Sequence, residues 1–575
     1  MGEAHSAHGP VRFGEFEVDL RAVELRKGDI KVKLQKQPFQ ILEILLEHVG
    51  EVVSREELRE RIWPADTFVD FHQGLSNAIK RLREALSDSA EKPRFIETIP
   101  RRGYRFIGSV DTSPAGRIDS MAVLPLENLS RDPEQEYFAD GLTEALITNL
   151  AKISALRVVS RTSAMQYKGV HKAVREIGRD LGVTGIVEGT VLRSGSRVRI
   201  SVQLIDASSD IHLWAESYDR GLRDILGLQS EVACAIAEEI RAKLKPNEHD
   251  QLARVRPVNP DAYEAYLKGR FYWNKRTPAA VKKGAEYFQQ AVEKDPSYAA
   301  AYAGLADSAI VAGWWGFIPP DQGCGRAKAA ARKALEIEET AEAHASLGFA
   351  LLHYDFDYLT AEKELQRAIG LNPRYATAHQ WYGHCLSYIG RFEEAVVETS
   401  LALKLDPISL ILHTSHAGIF WISRQWDRAI EVCRAGFELD PNSVPLSYCL
   451  AHAYQGKGAY DDAICERQRT VDLSGGAPFF IAELGSTHAA AGARIEAIQI
   501  LERLNDLSKQ HYVSAHSLAL IHTGLRQMDE AFDCLENAYE ERSAALAWVK
   551  ADPRLDNLRS DPRFQDLLSR MSFPE

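Results

Sequence analysis

Two clusters of basic and amide side chains carry the chemistry legible in this sequence. Between residues 71 and 86, Leu75, Ile79, Leu82 and Leu86 recur at helical spacing and form one apolar side. Gln73, Asn77, Lys80, Arg81 and Glu84 fall opposite. Amide, ammonium and guanidinium donors along one helix face match the acceptors of base edges and phosphates in a DNA major groove. A solvated charged face is the competing reading of the helix alone. Downstream, Arg101, Arg102 and Arg105 crowd a short hairpin, and a turn tipped with two arginines suits phosphate or minor-groove contact. Residues 76–106 hold eight basic and four acidic side chains, whereas the whole chain carries a net charge of −12. Residues 1–110 balance 18 Lys and Arg against 18 Asp and Glu, so the entire −12 falls after them. A local basic face binds phosphate even on an acidic chain.

Other chemistries find no footing. No phosphate loop, dinucleotide fingerprint, zinc-protease helix or nucleophile elbow is present. Gly185 and Gly189 punctuate strands. Asp140, Glu144 and Asp219 are candidate catalytic carboxylates, but capping and surface solvation explain them better. His344, His379 and His413 sit among helix-packing positions. All seven cysteines follow residue 233 without a C-x-x-C pair or zinc spacing. Neither enzyme, metal nor cofactor is expected. Residues 1–10 are polar, no apolar run reaches 18 residues, and the most apolar window, 309–319, is too short to span a bilayer. The expectation is a cytoplasmic protein in a reducing compartment, without membrane attachment.

The elements that must hold the basic clusters follow from the pattern. Residues 11–34 alternate as strands around a Lys27-Gly28-Asp29 turn. Phe39, Leu42, Leu45, Leu46 and Val49 then recur as a helix that opens at Pro38 and stops at Gly50. Ser54 and Glu57 form a capping box for a second helix, the third covers about 71–86, and residues 95–106 read as two strands around Pro100-Arg101-Arg102-Gly103. Strands, three helices and a hairpin in that order make a winged helix over 11–108. A Ser-, Gly- and Pro-rich linker spans 109–120, and an α/β domain spans 121–245.

From residue 262 to 545 the chain is helical and periodic. Ala327, Ala361, Ala395, Ala429, Ala463, Ala497 and Ala531 are spaced by 34 residues, and Pro373, Pro407 and Pro441 repeat at 34 in a second phase. Pro296 joins that phase if nine extra residues, around Trp314 and Trp315, interrupt the next repeat. A 34-residue helix–turn–helix period is that of tetratricopeptide repeats, and about eight helix pairs are expected. Small alanines let paired helices approach closely, and Asn-Pro or Asp-Pro breaks the chain between repeats. Residues 546–575 are expected as solvating helices that cap the array. The fold class is multidomain and mainly α: winged helix, central α/β domain, C-terminal α-solenoid.

Residues 75–86 (LSNAIKRLREAL) and 95–106 (FIETIPRRGYRF), with VVSREEL and Trp63, resemble the OmpR/PhoB-type winged helix. The resemblance implies a partner, double-stranded DNA, and contacts through Asn77, Lys80, Arg81 and Arg83 on the recognition helix and Thr98, Arg101 and Arg102 on the wing. Tyr104 and Phe106 are expected in the core. The chain departs from the family in carrying Pro100-Arg101-Arg102 where an Arg-Gly pair is common, which alters the wing tip. Neither a phospho-accepting receiver domain ahead of the winged helix nor a membrane helix is expected, and the N-terminal placement of the winged helix resembles that of CadC-type regulators. Residues 121–245 resemble the N-terminal domain of TolB and FlgO-like modules through MAVLPLENLS, YFADGLTEALITNL and HLWAESYD. The array resembles the tetratricopeptide family, with Gly383, Ala395, Ala402 and Pro407 matching a full repeat. That resemblance implies a groove for a protein or peptide partner, and a homo-oligomer is open. The functional expectation is a one-component transcription regulator, the alternative a repeat scaffold whose main role is protein binding.

Overall fold

The computed structural model describes residues 11–19, 23–27, 30–63, 71–108, 110–111, 118–130, 132–153, 155–240, 258–275, 277–314, 316 and 318–574. The chain divides into two units, Met1–Arg117 and Ile118–Glu575.

In the first unit, strands β1 (Val11–Phe13), β2 (Phe16–Asp19), β3 (Glu24–Lys27) and β4 (Ile30–Val32) form an antiparallel meander. Phe13, Phe16, Val18 and Leu25 point into the core, as period-two alternation requires. Helix α1 (Lys36–Glu47) buries Phe39, Ile41, Leu42, Ile44 and Leu45. Val49 lies past its end and is exposed, because the helix stops two residues earlier than the apolar spacing suggests. Strand β5 (Val52–Ser54) leads into α2 (Arg55–Ile62), whose first turn is capped by the Ser54 hydroxyl accepting from the Glu57 amide at 3.1 Å. Helix α3 (Phe71–Ala85) follows, then the hairpin β6 (Ile96–Ile99) and β7 (Gly103–Phe106). Strand β7 lies between β5 and β6, and β8 (Val110–Asp111) returns to β1. Phe95 and Phe106 join Phe13 and Phe16 in an aromatic cluster, so the base of the hairpin is tied to the meander.

The second unit opens with a six-stranded sheet. Strands β9 (Ser120–Val123), β10 (Glu127–Asn128) and β11 (Arg157–Val158) precede the long strands β12 (Gly185–Ser194), β13 (Arg197–Asp206) and β14 (Ile211–Gly221). The order is β11-β9-β12-β13-β14, parallel on the first side and antiparallel on the second, with β10 parallel to β12. Helices α4 (Glu136–Ala151), α5 (Arg161–Met165), α6 (Val174–Leu181) and α7 (Ile225–Glu239) complete the domain. The sequence pattern missed α5, whose five residues are too few for a periodicity to register. Residues 241–245 of the expected domain lie outside the described residues.

Sixteen helices follow between Pro260 and Glu540 and pack as eight consecutive helical hairpins. Each of the seven alanines in the 34-residue register is 0 % exposed. A second small-residue position, Gly383, Ala417, Ala451, Gly485 and Ala519, recurs at the same spacing on the first helix of each pair. An added Cβ at Gly383 would stand 2.5 Å from the Thr399 methyl and 3.2 Å from the Ala395 carbonyl. One residue too many between Gly348 and Ala361 is absorbed by a π-helical turn, Leu351–Asp355, the usual accommodation of a single insertion.

The insertion near residue 315 is partly ordered into helix. Ala299–Trp314 runs to the first tryptophan, and a second π turn, Asp321–Gly325, leads into Arg326–Ile337. The Trp314 ring is tucked against Phe349, His353 and Trp548; Trp315 lies outside the described residues.

The C-terminal segment differs most from expectation. It is not a solvating cap. Its turns Ala544–Trp548 and Pro553–Leu558 and its helix Pro562–Arg570 bury Leu546, Leu555, Leu558 and Phe564 completely. It lies against helices far back in the array: Tyr358 donates to the Ala547 carbonyl at 2.9 Å, Phe573 stacks on Tyr358, and Arg424 pairs with Asp556 at 2.7 Å. The last helix carries an apolar stripe, Phe564, Leu567, Leu568 and Met571, but a stripe does not name the surface it packs against.

Two predictions follow from this packing. Ala429→Leu forces a branched side chain between helices in contact and should destabilise the second unit by about 1–3 kcal/mol; an unchanged urea midpoint in the far-ultraviolet signal would contradict the close approach. His353, His384 and His516 are buried neutral, and burial depresses their pKa from 6.5 to about 3, 4 and 4. The unfolded chain therefore binds more protons in this range. The contribution is complete above pH 6.5 and is lost as the pH falls toward 4, with a slope of up to about 1.4 kcal/mol per pH unit for each histidine. Urea midpoints measured between pH 7 and 5 should fall; flat midpoints would show that these imidazoles titrate freely.

Candidate nucleic-acid interface

Helix α3 is the best-defined amphipathic helix of the first unit. Leu75, Ala78, Ile79, Leu82 and Leu86 are buried, while Asn77, Lys80 and Arg81 are exposed on the other face. The division arises because five apolar contacts hold the helix at one rotation about its axis. The Arg81 guanidinium donates to the Gln35 side chain just ahead of α1. Among the described residues Asn77 and Lys80 have no side-chain partner, and no carboxylate pairs with Lys80, Arg101 or Arg102.

Arg83 and Thr98, expected with the contact residues, meet each other instead. One Arg83 nitrogen donates to the Thr98 hydroxyl and to the Ile96 carbonyl, both at 2.8 Å. The pair ties α3 to the wing strand β6 and leaves both side chains half-buried. The i+3 step from Lys80 turns Arg83 toward the hairpin, which the helix pattern alone does not reveal. Arg105 is also engaged: it pairs across the hairpin with Glu97 at 2.6 Å. Of the three hairpin arginines, only Arg101 and Arg102 remain exposed at the tip.

The tip is a tight turn. The Arg102 amide donates to the Ile99 carbonyl at 3.1 Å, and Arg101 takes φ +62°. Pro100 in the second position and a left-handed third residue define a type II turn, where glycine is the unstrained choice. Gly103 follows because β5 comes too close for anything larger: an added Cβ would lie 1.9 Å from the Val53 carbonyl oxygen. Tyr104 and Phe106 are core residues, as expected, at 4 % and 0 % exposure.

Asp88 is a determinant that sequence reasoning missed. Its carboxylate accepts from the amides of Ser89, Arg94, Phe95 and Ile96 at 2.7–3.3 Å, which folds the loop between recognition helix and wing into one conformation. An acidic residue just after a helix end, opposite the usual dipole preference, is the signal that could have found it.

The arrangement is a helix face and a turn that present donors and positive charge. Asp140 and Glu144, the carboxylates weighed as catalysts, are held by neither capping nor solvation but by ion pairs. Asp140 binds Lys168 at 2.6 Å, and Glu144 binds Arg270 at 2.7 Å and Arg161 at 3.1 Å. Burial works to raise the Glu144 pKa, but the two guanidiniums outweigh it and hold the carboxyl below its ordinary range. Asp219 lies between Arg197 and Arg199.

Residues 29–106 match the family described as "Transcriptional regulatory protein, C terminal". With the geometry above, this makes the first unit a winged-helix DNA-binding domain and the chain a DNA-binding transcription regulator. Residues 117–233 match "HilA/YgeH-like transcriptional regulator, second domain". Over 74 % of its length the chain is 24 % identical to the transcriptional regulator HilA of Salmonella typhimurium, covering 75 % of that protein. It is 38 % identical over 40 % of its length to a Rhizobium meliloti protein named putative adenylate cyclase 3, of which it covers 40 %. The transcriptional activator CadC of Escherichia coli is 32 % identical over 17 % of this chain and 19 % of its own. Among the described residues no helix is long and apolar enough to cross a membrane.

The two kinds of arginine should separate on substitution. Arg83→Ala removes charge-assisted bonds to the wing and should cost about 1–3 kcal/mol in urea denaturation. Arg101→Gly places glycine in a left-handed turn position and should leave stability within about 1 kcal/mol of the wild type while weakening retention on DNA. Equal stability losses in both would show that Arg101, too, holds the fold.

Proposed function

We propose that the chain is a one-component, sequence-specific regulator whose α3 enters the major groove with Asn77, Lys80 and Arg81, while Arg101 and Arg102 grip the flanking backbone. The observation that carries this reading is the exposed basic and amide face of α3, free of carboxylate partners, beside a wing tip bearing two exposed arginines. Arg83 and Thr98 serve the interface by fixing the wing against α3. The second unit receives the signal. Its 34-residue register and paired small residues support a tetratricopeptide solenoid, and strands MAVLPLE and HLWAESYD support a TolB- or FlgO-like middle domain. Input by a protein or peptide partner, or by a small molecule, fits a solenoid. The site of action is the cytoplasm, where DNA is accessible and the seven thiols stay reduced.

Binding of the full chain to fragments selected from random duplex DNA tests the proposal. Affinity should fall as salt rises. Arg81→Ala should cost about 1–3 kcal/mol on the selected site and relax sequence preference, whereas Arg102→Ala should weaken all sequences alike and flatten the salt dependence. If both variants bind as the wild type does, α3 is not a DNA reader and a scaffold role takes its place.

A further inference from the structure

The inner side of the helical array encloses a cavity of about 1360 Å³. Aromatic rings make much of its wall, with Trp314, Trp381, Tyr388, Trp421 and Trp548 among its lining. Three charged groups at its edge, Arg161, Asp307 and Asp406, are engaged within the protein. Arg161 is paired with Glu144, Asp307 accepts from Ser346 at 2.8 Å, and Asp406 accepts from Ser163 at 2.8 Å. His384 is neutral, its pKa lowered by burial to about 4.

Two walls distinguish the cavity from an open peptide groove. One is α5 of the middle domain, through Arg161, Thr162 and Met165. The other is the chain's own C-terminal segment, through Trp548, held in place by the Tyr358 bond to the Ala547 carbonyl. An extended peptide along the inner face would have to displace that segment and its buried leucines.

We infer that this cavity binds an uncharged, largely aromatic small molecule as the signal ligand of the second unit. The inference deepens the one-component reading and rests on it only for the word signal; the binding itself is independent of DNA. A large cavity lined mostly by apolar and aromatic side chains is the usual form of such a site. The ligand would touch the middle domain, the array and the C-terminal segment at once, so it would stabilise their closed arrangement by binding the folded state.

Gly418 gives the test. It lies on the helix Leu410–Ile422 and lines the cavity, and a Cβ added there meets nothing within 4 Å. A larger side chain at 418 therefore fills empty space, in a helix where glycine is unfavourable. The full chain is titrated, without DNA, with the uncharged fluorophore N-phenyl-1-naphthylamine, and binding is read by probe emission and by energy transfer from tryptophan. Saturable binding with a raised melting temperature is expected for the wild type and for Gly418→Ala. Gly418→Trp should weaken it on the order of tenfold or more with an unchanged circular dichroism spectrum; Gly418→Leu carries the test if the tryptophan variant does not fold. Absence of saturable binding to the wild type, binding indifferent to both larger residues, or displacement of the probe by unrelated extended peptides would each overturn the inference. None of these results bears on DNA binding, and Arg81→Ala should leave probe binding untouched.

Discussion

The helices of each hairpin in the second unit stand only as far apart as a methyl group allows, and the rest of that unit depends on this spacing. Seven alanines at one position and a glycine or alanine at a second let backbones approach until a neighbour's carbonyl or methyl bars anything larger. Because dispersion falls steeply with distance, the close seam holds the two helices of a hairpin in one arrangement. The helix that begins at Tyr358 meets the chain's last thirty residues, and aromatic side chains line a shared interior.

Closure is then held by buried charge. Arg467, wholly buried, pairs with Glu483 at 2.8 Å; Glu483 also receives Arg554 at 3.1 Å, and Arg554 pairs with Asp552 at 2.7 Å. Such a network gains little over an apolar core in net stability, but removing one member strands the others. Its worth lies in specifying one docking: Asp552 and Arg554 on the C-terminal segment find their partners only when the segment sits at a single register on the array. A similar economy joins the middle domain to the first hairpin, where Glu144 on α4 meets Arg270 and where an added Cβ at Gly141 would stand 2.5 Å from Leu267.

In the first unit the equivalent constraint is smaller. The wing can reach beside α3 only because Gly103 lets β7 lie against the Val53 carbonyl and because Arg83 bridges to β6. Asp88 gathers four amides to hold the intervening loop. The exposed donors of α3 and the wing thus rest on groups that are themselves polar and engaged, which is why not every arginine near the interface is available to a phosphate.

The sequence by itself determined what local physics can encode. Period-two and helical alternation marked the meander, α1, α2, α3 and the hairpin, and Ser54 marked a helix start, because each of these depends on neighbours a few residues apart; the 34-residue spacing marked the seam of the array because the same local unit recurs. The exposed face of α3, with Asn77, Lys80 and Arg81, followed from the same period. Tertiary structure alone decided the remainder. Whether an arginine stays exposed depends on a partner outside its own element: Arg83 turned to Thr98 and Arg105 to Glu97, while Arg101 and Arg102 stayed at the tip. The C-terminal segment read as a polar cap because its stripe of Phe564, Leu567 and Met571 does not say what it packs on, and only the fold brought Tyr358 and Trp421 to meet the segment. A cavity between side chains far apart in the chain has no signature in the order of residues, since it exists only where surfaces curve toward each other without touching.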